Sequence, residues 1–135
     1  MTQELRIKRL LPPRTKDLDS DIEWICESLG LITSNDKDDP TLKIFREVLF
    51  SLARNSKIRS DELAEKCNLT RGAVNYHIRY LINSGIFVRR KRCIMLRSGN
   101  LRRTLEDIQR DVNFIFEEMK RIAKEIDKEL GLEYR

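Results

Sequence analysis

Apolar positions along this chain recur at helical spacing in five stretches and alternate, strand-like, in one short hairpin. Asp19 to Leu29 places Ile22, Ile25, Cys26 and Leu29 on one face, with Asp19 or Ser20 as cap and Gly30 closing the helix. Trp24 lies off that face and predicts a second contact, with another subunit. Asp39-Pro40 opens the next helix, with proline at its preferred first position. It runs to about Arg54, with Phe45, Val48, Leu49 and Leu52 on one side and Ile44 and Phe50 widening the surface. The run S-D-E-L-A-E-K-C from Ser60 buries Leu63, Ala64 and Cys67. Asn68-Leu69-Thr70 then turns into a helix whose core face is Val74, Ile78, Leu81 and Ile82, with Thr70 as N-cap and Gly85 beyond its end. Ile86 to Arg90 and Cys93 to Arg97 read as two strands around Lys91-Arg92, with Ile86, Val88, Ile94 and Leu96 as the alternating apolar set.

The longest pattern is the last. Leu101, Leu105, Ile108, Val112, Ile115, Met119, Ile122 and Ile126 step by four and three residues in turn, without proline or internal glycine. Phe116, Ala123 and Leu130 add a third apolar position per heptad, wider than a two-stranded coiled coil needs, so the stripe predicts a bundle. A helix of this length spans roughly 45 Å, more than one small domain covers. Leu101, Leu105, Ile108, Val112, Ile115, Phe116, Met119, Ile122 and Ile126 are therefore the expected dimer interface.

Charge sharpens the picture. Charged residues are 36% of the chain and the net charge is +5. Arg71 to Arg103 holds nine bases and no acid, so setting those nine aside leaves the rest of the chain at −4. Asp17 to Asp39 is the converse, with eight acids and Lys37 as its one base, and reads as a solvated face. The expected organisation is a loosely ordered basic arm over 1–18, containing Pro12-Pro13, a helix and acidic polar loop over 19–39, a central domain over 40–100 and the long helix over 101–135. The class is mainly α with a small β wing.

Opposite the buried face of the helix after Thr70 stand Gly72, Tyr76, Arg79 and Asn83, with Asn75 on the flank. Small, hydrogen-bonding and cationic residues without an acid suit a groove of DNA. Two helices joined by a three-residue turn form a helix-turn-helix pattern. The tip Arg89-Arg90-Lys91-Arg92 beside them suits phosphates. Thr70, Arg71, Gly72, Asn75, Tyr76, Arg79, Arg89, Arg90, Lys91 and Arg92 are the candidate DNA-binding residues.

Other chemistry finds little footing. One histidine, His77, and three scattered cysteines, Cys26, Cys67 and Cys93, have no zinc-ligand spacing, so no metal and no cofactor are expected. His77 borders the buried face and is expected to bond to backbone or to phosphate. Cys93, between wing bases, is read as an ordinary wing residue ahead of a redox switch. The five glycines do not cluster into a phosphate loop, one histidine supports no catalytic triad, and no enzyme is expected. The odd cysteine count, and the lack of a membrane-length apolar run, predict a cytoplasmic protein.

The run T-R-G-A-V-N-Y-H-I-R-Y-L-I-N-S-G-I-F resembles that of ArsR-type winged helix-turn-helix regulators, which share their architecture with MarR and PadR proteins. The family's V-x-x-H-L-x-x-L-x-x-x-G-L-V is matched by Val74, His77, Ile78, Leu81, Gly85 and Ile86. The resemblance implies a homodimeric transcription regulator, dimerising through terminal helices and reading double-stranded DNA in adjacent major grooves. The C-x-C metal box of the sensing members is absent, which leaves any effector unknown. The rival reading is a winged-helix interaction module whose basic face meets an acidic protein partner.

Overall fold

The computed structural model describes residues 2–33 and 37–135. The element order is α1 (Leu18–Ser28), α2 (Pro40–Ala53), β1 (Ile58–Arg59), α3 (Ser60–Lys66), α4 (Arg71–Ser84), β2 (Phe87–Arg90), β3 (Cys93–Leu96) and α5 (Leu101–Leu130). Among the described residues, five helices and a small sheet make a mainly α fold with a β wing, as the pattern predicts. Two compact units result, residues 1–97 and 98–135. Of the polar loop expected over Thr33 to Pro40, Ser34, Asn35 and Asp36 lie outside the described residues, as does Met1 of the arm.

In the first unit, α2 begins where the Asp39 carboxylate accepts the amides of Thr41 at 2.8 Å and Leu42 at 3.3 Å. Its Leu42, Ile44, Phe45 and Val48 are fully buried, together with Leu63 of α3 and Val74, Ile78 and Leu81 of α4. Each such side chain stabilises the fold by about 1.5–3 kcal/mol. Leu49, Phe50 and Leu52, expected in the core, are only half-buried. Ser51 is buried in their place, its hydroxyl turning back to the carbonyl oxygen of Ser56 at 3.0 Å.

The three strands pair antiparallel in the order β1-β3-β2. The two-residue β1 has no counterpart in the sequence reading. It joins Ile58 to Ile94 and Arg59 to Cys93. The inward residue of β2 is Phe87, not Val88 as the alternation predicted: Phe87 is buried and Val88 half-buried. Both are apolar, so pattern alone does not choose between them. The choice falls to Phe45, whose ring stacks on Phe87 with centroids 5.5 Å apart and planes at 20°. Between β2 and β3, Lys91 and Arg92 have φ values of 51° and 68°. Positive φ at both central residues is the type I′ hairpin geometry, normally given to Asn-Gly.

The N-terminal arm departs from expectation. Rather than hanging loosely, it crosses the ends of α1 and α4, donating amides of Glu4 to Asn83 (3.4 Å), Arg6 to Leu29 (3.2 Å) and Lys8 to Ser28 (2.7 Å). The Gln3 side chain donates to the Ser84 carbonyl at 3.1 Å. These acceptors are carbonyls that a helix end leaves without intrahelical partners. The Trp24 indole, expected to meet another subunit, donates instead to the Leu10 carbonyl at 3.3 Å. Gly30 permits the crossing: its φ is +73° and a Cβ there would overlap Arg6. Its carbonyl oxygen also accepts the Tyr80 hydroxyl at 2.9 Å.

In the second unit, α5 has the predicted limits. Asn100 caps it by accepting the Arg103 amide at 2.8 Å, and Gly131 closes it with φ 70°. Among the described residues, no helix is long and apolar enough to cross a membrane.

Two substitutions check these local arguments. Gly30→Ala is expected to lower unfolding free energy by about 2 kcal/mol through the positive φ and the displaced arm, read by urea denaturation. Replacing Lys91-Arg92 by Asn-Gly is expected to raise it by about 1 kcal/mol in the same assay, because the turn then loses its strain.

Candidate nucleic-acid interface

Helix α4 buries one side so completely that its other side is committed to solvent. Val74, Ile78 and Leu81 have no exposed surface, while Arg71, Gly72, Asn75, Tyr76 and Arg79 are all exposed. The Thr70 hydroxyl accepts the Ala73 amide at 3.1 Å, so this residue fixes where the helix starts. The Gly85 φ of 93° ends it. His77 is half-buried, and its Nδ1 lies 3.1 Å from the hydroxyl of buried Thr41. The expected bond to backbone or phosphate is thus replaced by one that ties α4 to the first turn of α2. Tyr76 is 69% exposed and meets the His77 ring edge-on, centroids 5.2 Å apart.

The sheet brings the wing to this helix. Pleating puts Phe87 and Arg89 on one face of β2, opposite Leu96 and Ile94, and Val88 and Arg90 on the other. Because Phe87 is anchored on the core, Arg89 is directed to the same side. Arg71 and Asn75, one helical turn apart, line a cleft of about 400 Å³ together with Arg89 and Arg92. Arg79 continues the line of Arg71 and Asn75 at the same four-residue step, outside the cleft lining. Arg90 and Lys91 are exposed but do not line it either, so the four bases of the tip divide between two directions.

Three lining residues were not anticipated: Arg59, Ser60 and Asp61, from β1 and the start of α3. They precede the acid-free run in sequence and join it through the pairing of β1 with β3 and the packing of α3 on α4. Asp61 also corrects the expectation of a reading surface without acids. Arg59 Nε lies 3.6 Å from Asp61 Oδ1 and 3.4 Å from Glu62 Oε1. Among the described residues, Arg71, Arg89 and Arg92 make no ion pair. The cleft is therefore strongly positive, as a phosphate-bearing ligand requires.

The cysteines take no part. Burial, and then Asp39 and Glu23, push the Cys26 thiol far above its ordinary range. Burial, then Glu47, against a smaller opposing effect of Lys43, pushes Cys67 up to about 11. Both stay protonated at neutral pH, as buried structural thiols do. Cys93 is half-buried in β3, opposite Arg90.

The residues expected at a dimer interface are unevenly covered. Ile108 is buried, and Leu101, Leu105 and Val112 are half-buried. Ile115, Phe116, Met119, Ile122 and Ile126 are exposed, at 41% to 54% of their surface, and Phe114 and Leu130 are exposed beside them. The open stripe thus begins after Val112 and continues to the end of α5.

Residues 43–88 match a family model described as winged helix-turn-helix DNA-binding. The matched segment runs from the first turn of α2 into β2 and does not single out the ArsR type. No curated protein and no solved structure matches the chain. The match covers β1, α3, α4 and the start of β2, and so takes in Arg59, Ser60, Asp61, Arg71 and Asn75 of the cleft; it identifies this segment as similar to winged helix-turn-helix DNA-binding domains.

Proposed function

We propose that this chain is a transcription regulator that binds double-stranded DNA as a homodimer, with α4 in the major groove and the wing on the phosphates. One observation carries the reading: Arg71 and Asn75 of α4 share a single cleft with Arg89 and Arg92 of the wing. A groove-sized helix alone would suit many partners. A helix flanked by arginines that make no ion pair among the described residues suits a duplex, whose base edges and backbone are offered side by side.

The division of labour follows. Arg71 and Asn75 meet base edges, where arginine pairs with guanine and asparagine with adenine. Arg79 and Tyr76 extend that row along the groove. Arg89 and Arg92 hold phosphates facing the helix, and Arg90 and Lys91 reach the neighbouring backbone. Thr70 caps the helix start, and Gly72 beside it stands in open space, where a duplex can approach the backbone without meeting a side chain. The strained turn at Lys91-Arg92 supports the same view. A sequence that keeps two cations where Asn-Gly folds more easily gives up stability for charge at the tip.

Dimerisation rests on the open stripe of α5. Isoleucine, methionine and phenylalanine side chains in one exposed row are what association surfaces offer. A second copy of the same helix supplies the matching heptad pattern. Pairing through α5 presents two reading helices to one palindromic duplex. Three free cysteines agree with a reducing, cytoplasmic setting.

Arg71→Ala is expected to cost roughly 1–3 kcal/mol of discrimination between a selected site and random duplex, measured by titration of both. Arg89→Ala combined with Arg92→Ala should instead weaken all duplexes alike and make the slope of log affinity against log salt shallower by about two. Equal, salt-insensitive losses in the two variants would remove the assignment. Met119→Glu with Ile122→Glu is expected to give a monomer by sedimentation equilibrium, with a half-site still bound and the palindrome no longer favoured over it. A dimer persisting in that variant would place the interface elsewhere.

A further inference from the structure

An acid inside a phosphate-binding cleft needs an explanation. Asp61 lines the cleft with Arg71, Asn75, Arg89 and Arg92, and its side chain is 46% exposed. Oδ1 accepts the Glu62 amide at 3.0 Å and faces Arg59 at 3.6 Å. Oδ2 has no hydrogen-bond partner among the described residues. Holding Arg59 does not require Asp61, because Glu62 lies nearer that guanidinium and also accepts the Arg59 amide at 3.2 Å.

The first turn of α3 favours an acid through the helix dipole, but against a duplex a carboxylate here is repelled by the phosphates and gains only where its free oxygen meets a hydrogen-bond donor. In the major groove the donors are the exocyclic amines of cytosine and adenine, and aspartate characteristically accepts from the cytosine amine. The neighbouring arginines are the residues that pair with the acceptor edge of guanine. Acceptor and donors in one cleft therefore complement both halves of a G·C pair.

We propose that Asp61 is a specificity-determining residue, which accepts a hydrogen bond from the exocyclic amine of cytosine through Oδ2 while Arg71 meets guanine. This deepens, and rests on, the reading of the cleft as a duplex-binding site. It restricts the substrate class: each half-site contains a G·C pair at the position that α3 and α4 approach together. It also explains why α3, whose remaining exposed residues are ordinary solvated charges, contributes its first turn to the cleft.

The test is selection of bound sites from a random duplex pool with the wild-type full chain, Asp61→Ala and Asp61→Asn. Thermal denaturation confirms that each variant is folded. The wild type is expected to select cytosine at one position per half-site. In Asp61→Ala that preference falls roughly tenfold while the other positions keep theirs. Asp61→Asn moves the same position toward adenine, which an amide pairs with through both of its groups. Identical preferences in all three proteins would overturn the proposal. So would a uniform gain in affinity for every duplex in both variants, since the carboxylate would then act by repulsion alone. Should the wild type show no salt-dependent duplex binding, the DNA reading itself falls and takes this inference with it. A wild type that binds steeply with salt but is unaffected by Asp61 loses only the inference.

Discussion

The whole first unit depends on burial of one side of α4. Val74, Ile78 and Leu81 are completely covered, and Leu42, Ile44, Phe45 and Val48 of α2 are buried just as fully. With three side chains contributing about 1.5–3 kcal/mol each, rotating the helix to turn its polar side inward would forfeit that stabilisation and bury arginine without a partner. Orientation of the exposed polar face is thus a by-product of core packing. The His77–Thr41 contact adds a directional constraint that hydrophobic burial, being non-directional, does not provide.

The same core sets the wing. Stacking of Phe87 on Phe45 selects which face of a four-residue strand looks inward, and a one-residue slip would send every side chain to the other side. From that single stack it follows that Arg89 faces α4 and Arg90 does not. An aromatic contact in the interior therefore decides which charges at the surface cooperate.

Much of this architecture was readable from residues. Thr70 and Gly85 bracket α4, Asp39-Pro40 starts α2, and the heptad run of α5 ends at Gly131, each because a cap or a positive φ is a local demand that few residues meet. What escaped reading was non-local. Two residues of β1 are too few for a period to show. Ile86-Phe87-Val88 is apolar throughout, so the choice of Phe87 over Val88 is made by Phe45, 42 residues earlier. The acid-free run is visible along the chain, yet Arg59 enters the cleft through strand pairing and Asp61 through the packing of α3 on α4, and both lie outside that run. The basic arm looked loose because the acceptors that hold it, at Ser28, Leu29, Asn83 and Ser84, are carbonyls, which every sequence possesses.

That arm bears on the order in which the chain folds. The bond from Gln3 to Ser84 joins positions 81 apart, so docking closes a very long loop, whereas α3, α4 and the hairpin assemble from neighbours. The last turn of α4 consequently acquires its non-local hydrogen-bond partners late, after the rest of the helix is in place. On that order the Asn83 and Ser84 carbonyls face water until the arm docks, while the other end of α4 is already capped by Thr70.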